Sequence, residues 1–213
     1  MDTNNFKYTS DIAFTRAVKS LQEQYGSRQG YSQMERSGGW QNEVTPALVD
    51  FLSKMDSFYF GTSNSNGQPY IQHRGGPKGF IEKLNSKQLA FVDYRGNKQF
   101  ISSGNLSENN KAFIFLMDYP NRTRIKIWGT AKVEYDDKEL ITSLGDPNYK
   151  AHLERAIIFT VEAWDVNCPQ HIKPRFTEEA IEKMTKPLHE RIKELERKLL
   201  TTTQSKKRNH EEK

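Results

Sequence analysis

Four stretches of this 213-residue sequence carry side chains that could hold a ligand. In residues 69–74 the two-residue alternation of a strand sets Tyr70, Gln72 and Arg74 on one face and Ile71 and His73 on the other. One face can hydrogen-bond a ligand, and Gly75-Gly76-Pro77 directly after it lets something bound approach the backbone closely. A second strand ends Phe91-Val92-Asp93-Tyr94 and runs into Arg95-Gly96-Asn97-Lys98. Backbone N–H groups at such a turn, with Asn97 and Lys98 beside them, suit phosphate oxygens. A third, 123–133, places Arg124, Lys126 and Trp128 on one face, able to hold an anion by arginine's planar fork and to cover a flat ring with indole. A fourth runs from Trp164 through Asn167-Cys168-Pro169-Gln170-His171 to Arg175. Each pattern has a bland counterpart: a solvated strand face, an ordinary surface turn, a barrel exterior with Trp128 packed under a helix, a core tryptophan.

Other chemistries are disfavoured. Cys168 is the single cysteine, so no intrachain disulfide and no four-cysteine zinc site can form, which suits a reducing compartment. Cys168 and His171 sit three apart with no matching ligand pair elsewhere, and no HExxH, GxSxG, P-loop or GxGxxG occurs, so no metal site is expected. Lysine and arginine number 32 against 27 acids, a net of +5 without the clustering that a nucleic-acid surface needs. The longest apolar run is the six residues 112–117, far short of the roughly 20 of a membrane helix. The polar start, residues 1–10, offers no secretory apolar segment, so a cytoplasmic protein with no membrane and no nucleic-acid partner is expected.

The elements that must position these residues follow from periodicity. Phe14, Ala17, Val18, Leu21 and Tyr25 recur at helical spacing, capped by Ser10 or Asp11 and ended by Gly26. The polar, glycine-containing stretch to Gly39 reads as a linker, and Thr45-Pro46 opens a short helix through Met55. Strands are expected at 57–60, 69–74 after an Asn66-Gly67 turn, 88–93, 111–117, 123–135 and 155–164, with helices at 97–103 and 136–145. Six mostly antiparallel strands with short links predict a barrel or curled sheet. From Thr177 a last helix carries Ile181, Met184, Leu188, Ile192, Leu195 and Leu199 on one stripe, with Pro187 expected to kink or split it. The division expected is 1–39 N-terminal helix and linker, 40–176 barrel, 177–200 amphipathic helix and 201–213 disordered tail.

Taken in order, Tyr70-Ile71-Gln72-His73-Arg74-Gly75-Gly76-Pro77, Phe91-Val92-Asp93-Tyr94-Arg95-Gly96-Asn97, Gly104-Asn105-Leu106, Asp118-Tyr119-Pro120-Asn121-Arg122-Thr123-Arg124 and residues 164–176 resemble the pyridoxamine 5′-phosphate oxidase-like family of FMN-binding split-barrel proteins. The resemblance covers about residues 40–176. It implies a mainly β fold with flanking helices, an antiparallel split β-barrel followed by a C-terminal helical extension. It also implies a homodimer with FMN at the subunit interface and a small-molecule substrate, reduced or oxidised by hydride transfer through flavin N5. Tyr70, Gln72, His73 and Arg74 would lie along the flavin, and the turn at Asn97 and Lys98 would take the position of the phosphate-binding basic turn; Asp93, Tyr94 and Asn105 are counted with them as cofactor-binding. Arg124 falls where a polar side chain contacts the flavin, and Trp164, Gln170 and Arg175 look like the late residues that reach the ring, commonly from the other subunit. FAD, a deazaflavin or haem are the other cofactors of such folds, and residue types alone do not separate the flavins. A non-catalytic flavin or haem carrier, store or sensor is the alternative, with His73 or His171 as haem ligand. The late Arg-x-His pair of true pyridoxamine phosphate oxidases is replaced here by Gln170-His171-Ile172-Lys173-Pro174-Arg175, which points away from vitamin B6 oxidation.

Overall fold

The computed structural model describes residues 7–167 and 169–211, with side chains in the last helix described through residue 201; Cys168 and the residues 206–208 basic triplet's side chains lie outside that description. Two compact units make up the chain: residues 7–118 with 122–171 in the first, and 119–121 with 172–211 in the second.

In the first unit, a seven-stranded, wholly antiparallel sheet curls around the core. Its strands are β1 (Ser57–Ser63), β2 (Pro69–Gly75), β3 (Glu82–Lys83), β4 (Gln88–Tyr94), β5 (Lys111–Asp118), β6 (Thr123–Glu134) and β7 (Leu153–Asn167). Their order across the sheet is β2-β1-β5-β6-β7-β4-β3, so β2 and β3 are the two edges and the barrel does not close. This is the split barrel that the alternating strand pattern and short links predict; only the two-residue β3 escaped the sequence, being too short to show a period. The inner face is built by Phe58 and Phe60 of β1, Ile114 and Leu116 of β5, Ile127 of β6 and Ile157 and Phe159 of β7, all essentially fully buried.

The helices show where local chemistry outweighed apolar period. α1 (Arg16–Gln24) is capped by Thr15, whose hydroxyl accepts from the Val18 N–H at 3.3 Å. The expected caps, Ser10 and Asp11, lie instead in a preceding 3₁₀ turn, Thr9–Ile12. The stretch read as a linker contains α2 (Arg28–Arg36). Its inward side is not apolar but ionic: the Glu35 carboxylate is buried and ion-paired to Arg28, with Ser10 Oγ at 3.5 Å and Lys19 Nζ at 3.9 Å. A buried charge held by its partners leaves no apolar stripe for a sequence to display. α3 (Pro46–Leu52) begins as expected, with Thr45 Oγ1 accepting from the Leu48 N–H at 3.3 Å and proline at the first helical position.

α4 (Ile101–Glu108) starts four residues later than the sequence suggests, because the turn before it has its own conformation. α5 (Lys138–Ser143) is capped by Asp137, which accepts from the Leu140 N–H at 2.9 Å. In the second unit α6 spans Glu178–Glu211, continuous across Pro187 and past residue 200, where a kink and then an unstructured tail had been expected.

At Gly129 the pairing of β6 with β7 shifts register, and an added Cβ would stand 2.0 Å from the Thr160 carbonyl oxygen and 2.8 Å from the Phe159 ring. Neither neighbour can yield, since one is backbone and the other core. Gly129→Ala is therefore expected to lower stability by about 2–3 kcal/mol, at the upper end of overpacking costs. Chemical denaturation measured against wild type checks this.

Candidate functional site

The open side of the barrel is bridged by charge. Asp93, near the end of β4, is buried; one carboxylate oxygen takes a hydrogen bond from Arg74 Nη1 on β2, and the other takes one from Arg155 Nε on β7 at 2.9 Å. β2 and β4 lie on opposite sides of the split, so the Arg74–Asp93 pair is a strut across the gap. Arg155 also donates to Glu154 Oε2 at 2.6 Å, and Arg95 Nε reaches Glu154 Oε1 at 3.0 Å. The Arg95 hydrogen bond, with Arg155 and Lys98 adding to it, holds the Glu154 carboxyl below its usual range against some desolvation.

Above this strut lies a small recess lined by Tyr70, Gln72, Arg74, Asp93, Tyr94 and the segment from Gly96 to Ser103, with Glu154 and Arg155. Three of those residues are cations (Arg74, Lys98, Arg155) and two are carboxylates (Asp93, Glu154), a net of +1. The backbone adds to it. Lys98 and Phe100 take left-handed conformations, φ 58° and 55°, which for non-glycine residues cost about 1 kcal/mol or more each. Asn97 Oδ1 accepts from the Gln99 N–H at 3.2 Å and helps set the turn. α4 then begins at Ile101 with no side-chain cap, and its first main-chain bond is donated by Gly104, to the Phe100 carbonyl. The first-turn N–H groups of Ile101, Ser102 and Ser103 thus have no partner within the helix and belong to residues lining the recess. Strained backbone, an uncapped helix start and excess cation thus meet at one recess, features that suit an anion.

One further donor fits a bound group. Arg74 Nε is buried with no hydrogen-bond partner, and Arg74 lines the recess. The Tyr94 ring instead packs with Val92, Ile141 and Leu144 and beside Tyr149, where burial, then Tyr149 and Asp146, push its phenol above its ordinary pKa. Ser102 Oγ donates to Gln72 Oε1 at 2.9 Å, tying α4 to β2. Phe100 lies over the Arg155 guanidinium, 5.0 Å from ring centroid to Cζ. On its other side Tyr70 also lines an apolar depression of about 680 Å³ with Ile71, Phe113 and Trp128.

Of the thirteen residues expected to contact a cofactor, the recess gathers Tyr70, Gln72, Arg74, Asp93, Tyr94, Asn97 and Lys98. The other six lie elsewhere. His73 points to the outer face of β2, against Tyr59 with ring centroids 5.8 Å apart, as strand alternation requires. Asn105 donates to Thr62 Oγ1 at 3.0 Å. Arg124 stands on the outer face of β6 with Lys126, whose amine lies 5.4 and 5.0 Å from the Trp40 and Trp128 rings and 3.7 Å from Asp165. Trp40 stacks on Trp128 at 4.6 Å, so this basic-aromatic face is occupied by the chain's own N-terminal segment. Desolvation there pulls the Lys126 amine below its usual pKa. Trp164 is buried in the core, its indole N–H bonded to the Glu43 carbonyl at 2.8 Å. Gln170 is exposed in the turn ending the first unit. In the second unit Arg175 covers the Tyr119 ring at 4.6 Å.

The sequence reading missed Arg155 and the start of α4. The signal for Arg155 was present: a lone cation entering the apolar run 156–159 has to meet an acid, and strand register puts Asp93 opposite it.

Comparison with known proteins places the chain among relatives. The sequence profile of pyridoxamine 5′-phosphate oxidase matches residues 44–171. Similar solved structures include HupZ of Group A Streptococcus, at 15% identity over 62% of this chain and 99% of that one, TM-score 0.46. An FMN-binding protein from Syntrophomonas wolfei matches at 13% identity over 71% of this chain and 97% of that one, TM-score 0.44. HutZ, the haem storage protein of Vibrio cholerae, matches at 12% over 58% and 93%, TM-score 0.37. Among curated proteins nothing matches the chain.

Asp93→Ala would leave Arg74 and Arg155 facing each other across the split with no anion between them. Removing one member of a buried ion pair costs about 3–5 kcal/mol, and a loss of that size in denaturant unfolding is expected. Asp93→Asn, which keeps the shape, should recover part of it.

Proposed function

Because the chain belongs to the pyridoxamine 5′-phosphate oxidase family, we propose that its cationic recess binds the phosphate end of a flavin, FMN, and that the protein is a homodimeric flavin-dependent oxidoreductase acting on a small molecule. The observation that carries this reading is the convergence of Lys98, the left-handed turn, the uncapped start of α4 and the unpaired Arg74 Nε on one recess.

Lys98, Asn97 and the N–H groups of residues 101–103 would hold the phosphate, and Gln72 and Arg74 would bond the polar chain that follows it. Tyr70 joins the recess to the apolar depression, whose Ile71 and Phe113 offer surface to a flat ring. When bound, such a flavin supplies hydride chemistry at its N5, and the protein's part is to orient it and set the charge around it. Asp93 does that by fixing both arginines, so that a guanidinium is presented at the recess without rearrangement on binding. Of the residues of the sequence pattern that this recess does not gather, Gln170 and Arg175 are those a second copy would contribute at a shared interface, whereas Trp164 is held in the core of its own chain.

Lys98 separates binding from folding. Lys98→Gly relieves a left-handed lysine and should raise stability by about 0.5–1 kcal/mol, while removing one charge-assisted contact, worth about 1.5–3 kcal/mol, should weaken FMN binding roughly tenfold or more. Fluorescence titration with FMN beside thermal unfolding reads both effects. In parallel, purified protein with bound flavin is expected to turn over NADH or NADPH with an electron acceptor. A flavin that no donor reduces would make the protein a carrier or sensor, and a Soret band would replace the flavin with haem.

A further inference from the structure

We propose that the recess selects its ligand by hydrogen-bond character: it takes a phosphate monoester whose free oxygens carry no hydrogen and disfavours the same group once protonated, with Ser102 as the positioning residue. The inference rests on the reading of the recess as a phosphate site and adds to it the ionisation state that is bound. The acceptors of the lining are already engaged by the chain itself. Asp93 takes Arg74 on one carboxylate oxygen and Arg155, at 2.9 Å, on the other. Glu154 takes Arg95 Nε at 3.0 Å and Arg155 Nη2 at 2.6 Å, again one on each oxygen. Asn97 Oδ1 accepts from the Gln99 N–H at 3.2 Å. That leaves the Gln72 amide, which by itself could donate or accept. Ser102 is buried, and its hydroxyl donates to Gln72 Oε1 at 2.9 Å, so what Gln72 has left to offer is its two N–H groups.

What remains is a set of donors: the buried, unpaired Arg74 Nε, the Gln72 amide N–H groups and the Lys98 ammonium, which has no acceptor of its own. The hydroxyls of Tyr70 and Ser103 can serve either way, and the Gln99 amide is exposed. Among the lining residues no carboxylate or buried amide oxygen is left unengaged to receive an O–H. A doubly ionised phosphate monoester has only acceptors on its free oxygens and suits such a lining. Its protonated form brings one O–H, which must go unmet or displace an arginine from a carboxylate, at a loss of roughly tenfold or more in affinity. The charges facing the ligand are Arg74 from β2, Asp93 from β4, Lys98 from the turn, and Glu154 and Arg155 from β7, with Arg95 behind Glu154. Tyr70 and Tyr94 are the other titratable groups of the lining, and α4 contributes none. With no histidine among them, the lining keeps its charge while a phosphate monoester takes up its second proton.

Phosphorus NMR of the full chain with FMN reads the ionisation of the bound phosphate directly. Free in solution such a phosphate titrates at about pH 6; bound, it is expected to stay doubly ionised down to about pH 5, a shift of roughly one unit or more. Positive charge alone would also favour that state, and Ser102→Ala separates the two causes, since it changes no charge but returns Gln72 Oε1 as an acceptor. The variant should raise the titration of the bound phosphate by about one pH unit, a tenfold change between the two protonation states. In a Gln72→Leu background, with no amide to release, Ser102→Ala should have no such effect. A bound phosphate that titrates as the free one does, or one that Ser102→Ala leaves unmoved, overturns the proposal. So does an effect of Ser102→Ala that survives Gln72→Leu, because the hydroxyl would then act on the ligand itself. No bound FMN at any pH would instead remove the flavin reading, and the inference with it.

Discussion

One buried carboxylate organises the first unit. A seven-stranded sheet that does not close has a gap between its edges, and Asp93 spans it, holding Arg74 from one side and Arg155 from the other. Two arginines within reach of one carboxylate would repel without it, and a carboxylate buried there would be prohibitively costly without them. The arrangement leaves positive charge in excess at the opening, which is why the recess above it suits an anion.

The turn after Asp93 works in the same direction. Left-handed Lys98 and Phe100 store conformational strain, delay the start of α4 and leave its first-turn N–H groups without a side-chain cap. In a segment selected only for stability, a glycine and a capping serine would serve better. Strain and an uncapped helix at one place, beside an unpaired buried arginine nitrogen, are what a site preorganised for a phosphate group requires.

Much of this was legible in the sequence, and the failures share a cause. Strand alternation located the polar face of Tyr70, Gln72 and Arg74, and the acid-glycine-amide-cation run located the turn. Alternation also put His73 on the opposite face, where the structure has it, although family resemblance had counted it with the site. α2 was hidden because its buried side is Glu35 with Arg28, an ionic core that no apolar period reveals. Trp164 and the face of Lys126 and Trp128 resemble ligand surfaces by residue type, yet Glu43 and Trp40 from the N-terminal segment already occupy them. Which surfaces a chain covers with itself is a long-range property, and residue types at a given spacing do not carry it.

The central claim is that the recess recognises the phosphate of a flavin. Calorimetric titration of the purified chain with FMN and with riboflavin, which has the same ring and ribityl chain but no phosphate, tests it most directly. The account predicts that FMN binds about a hundredfold more tightly, as expected for two charge-assisted contacts at roughly 1.5 kcal/mol each, and that the advantage shrinks as salt is raised. Equal affinities for the two, or no binding of either, would contradict it.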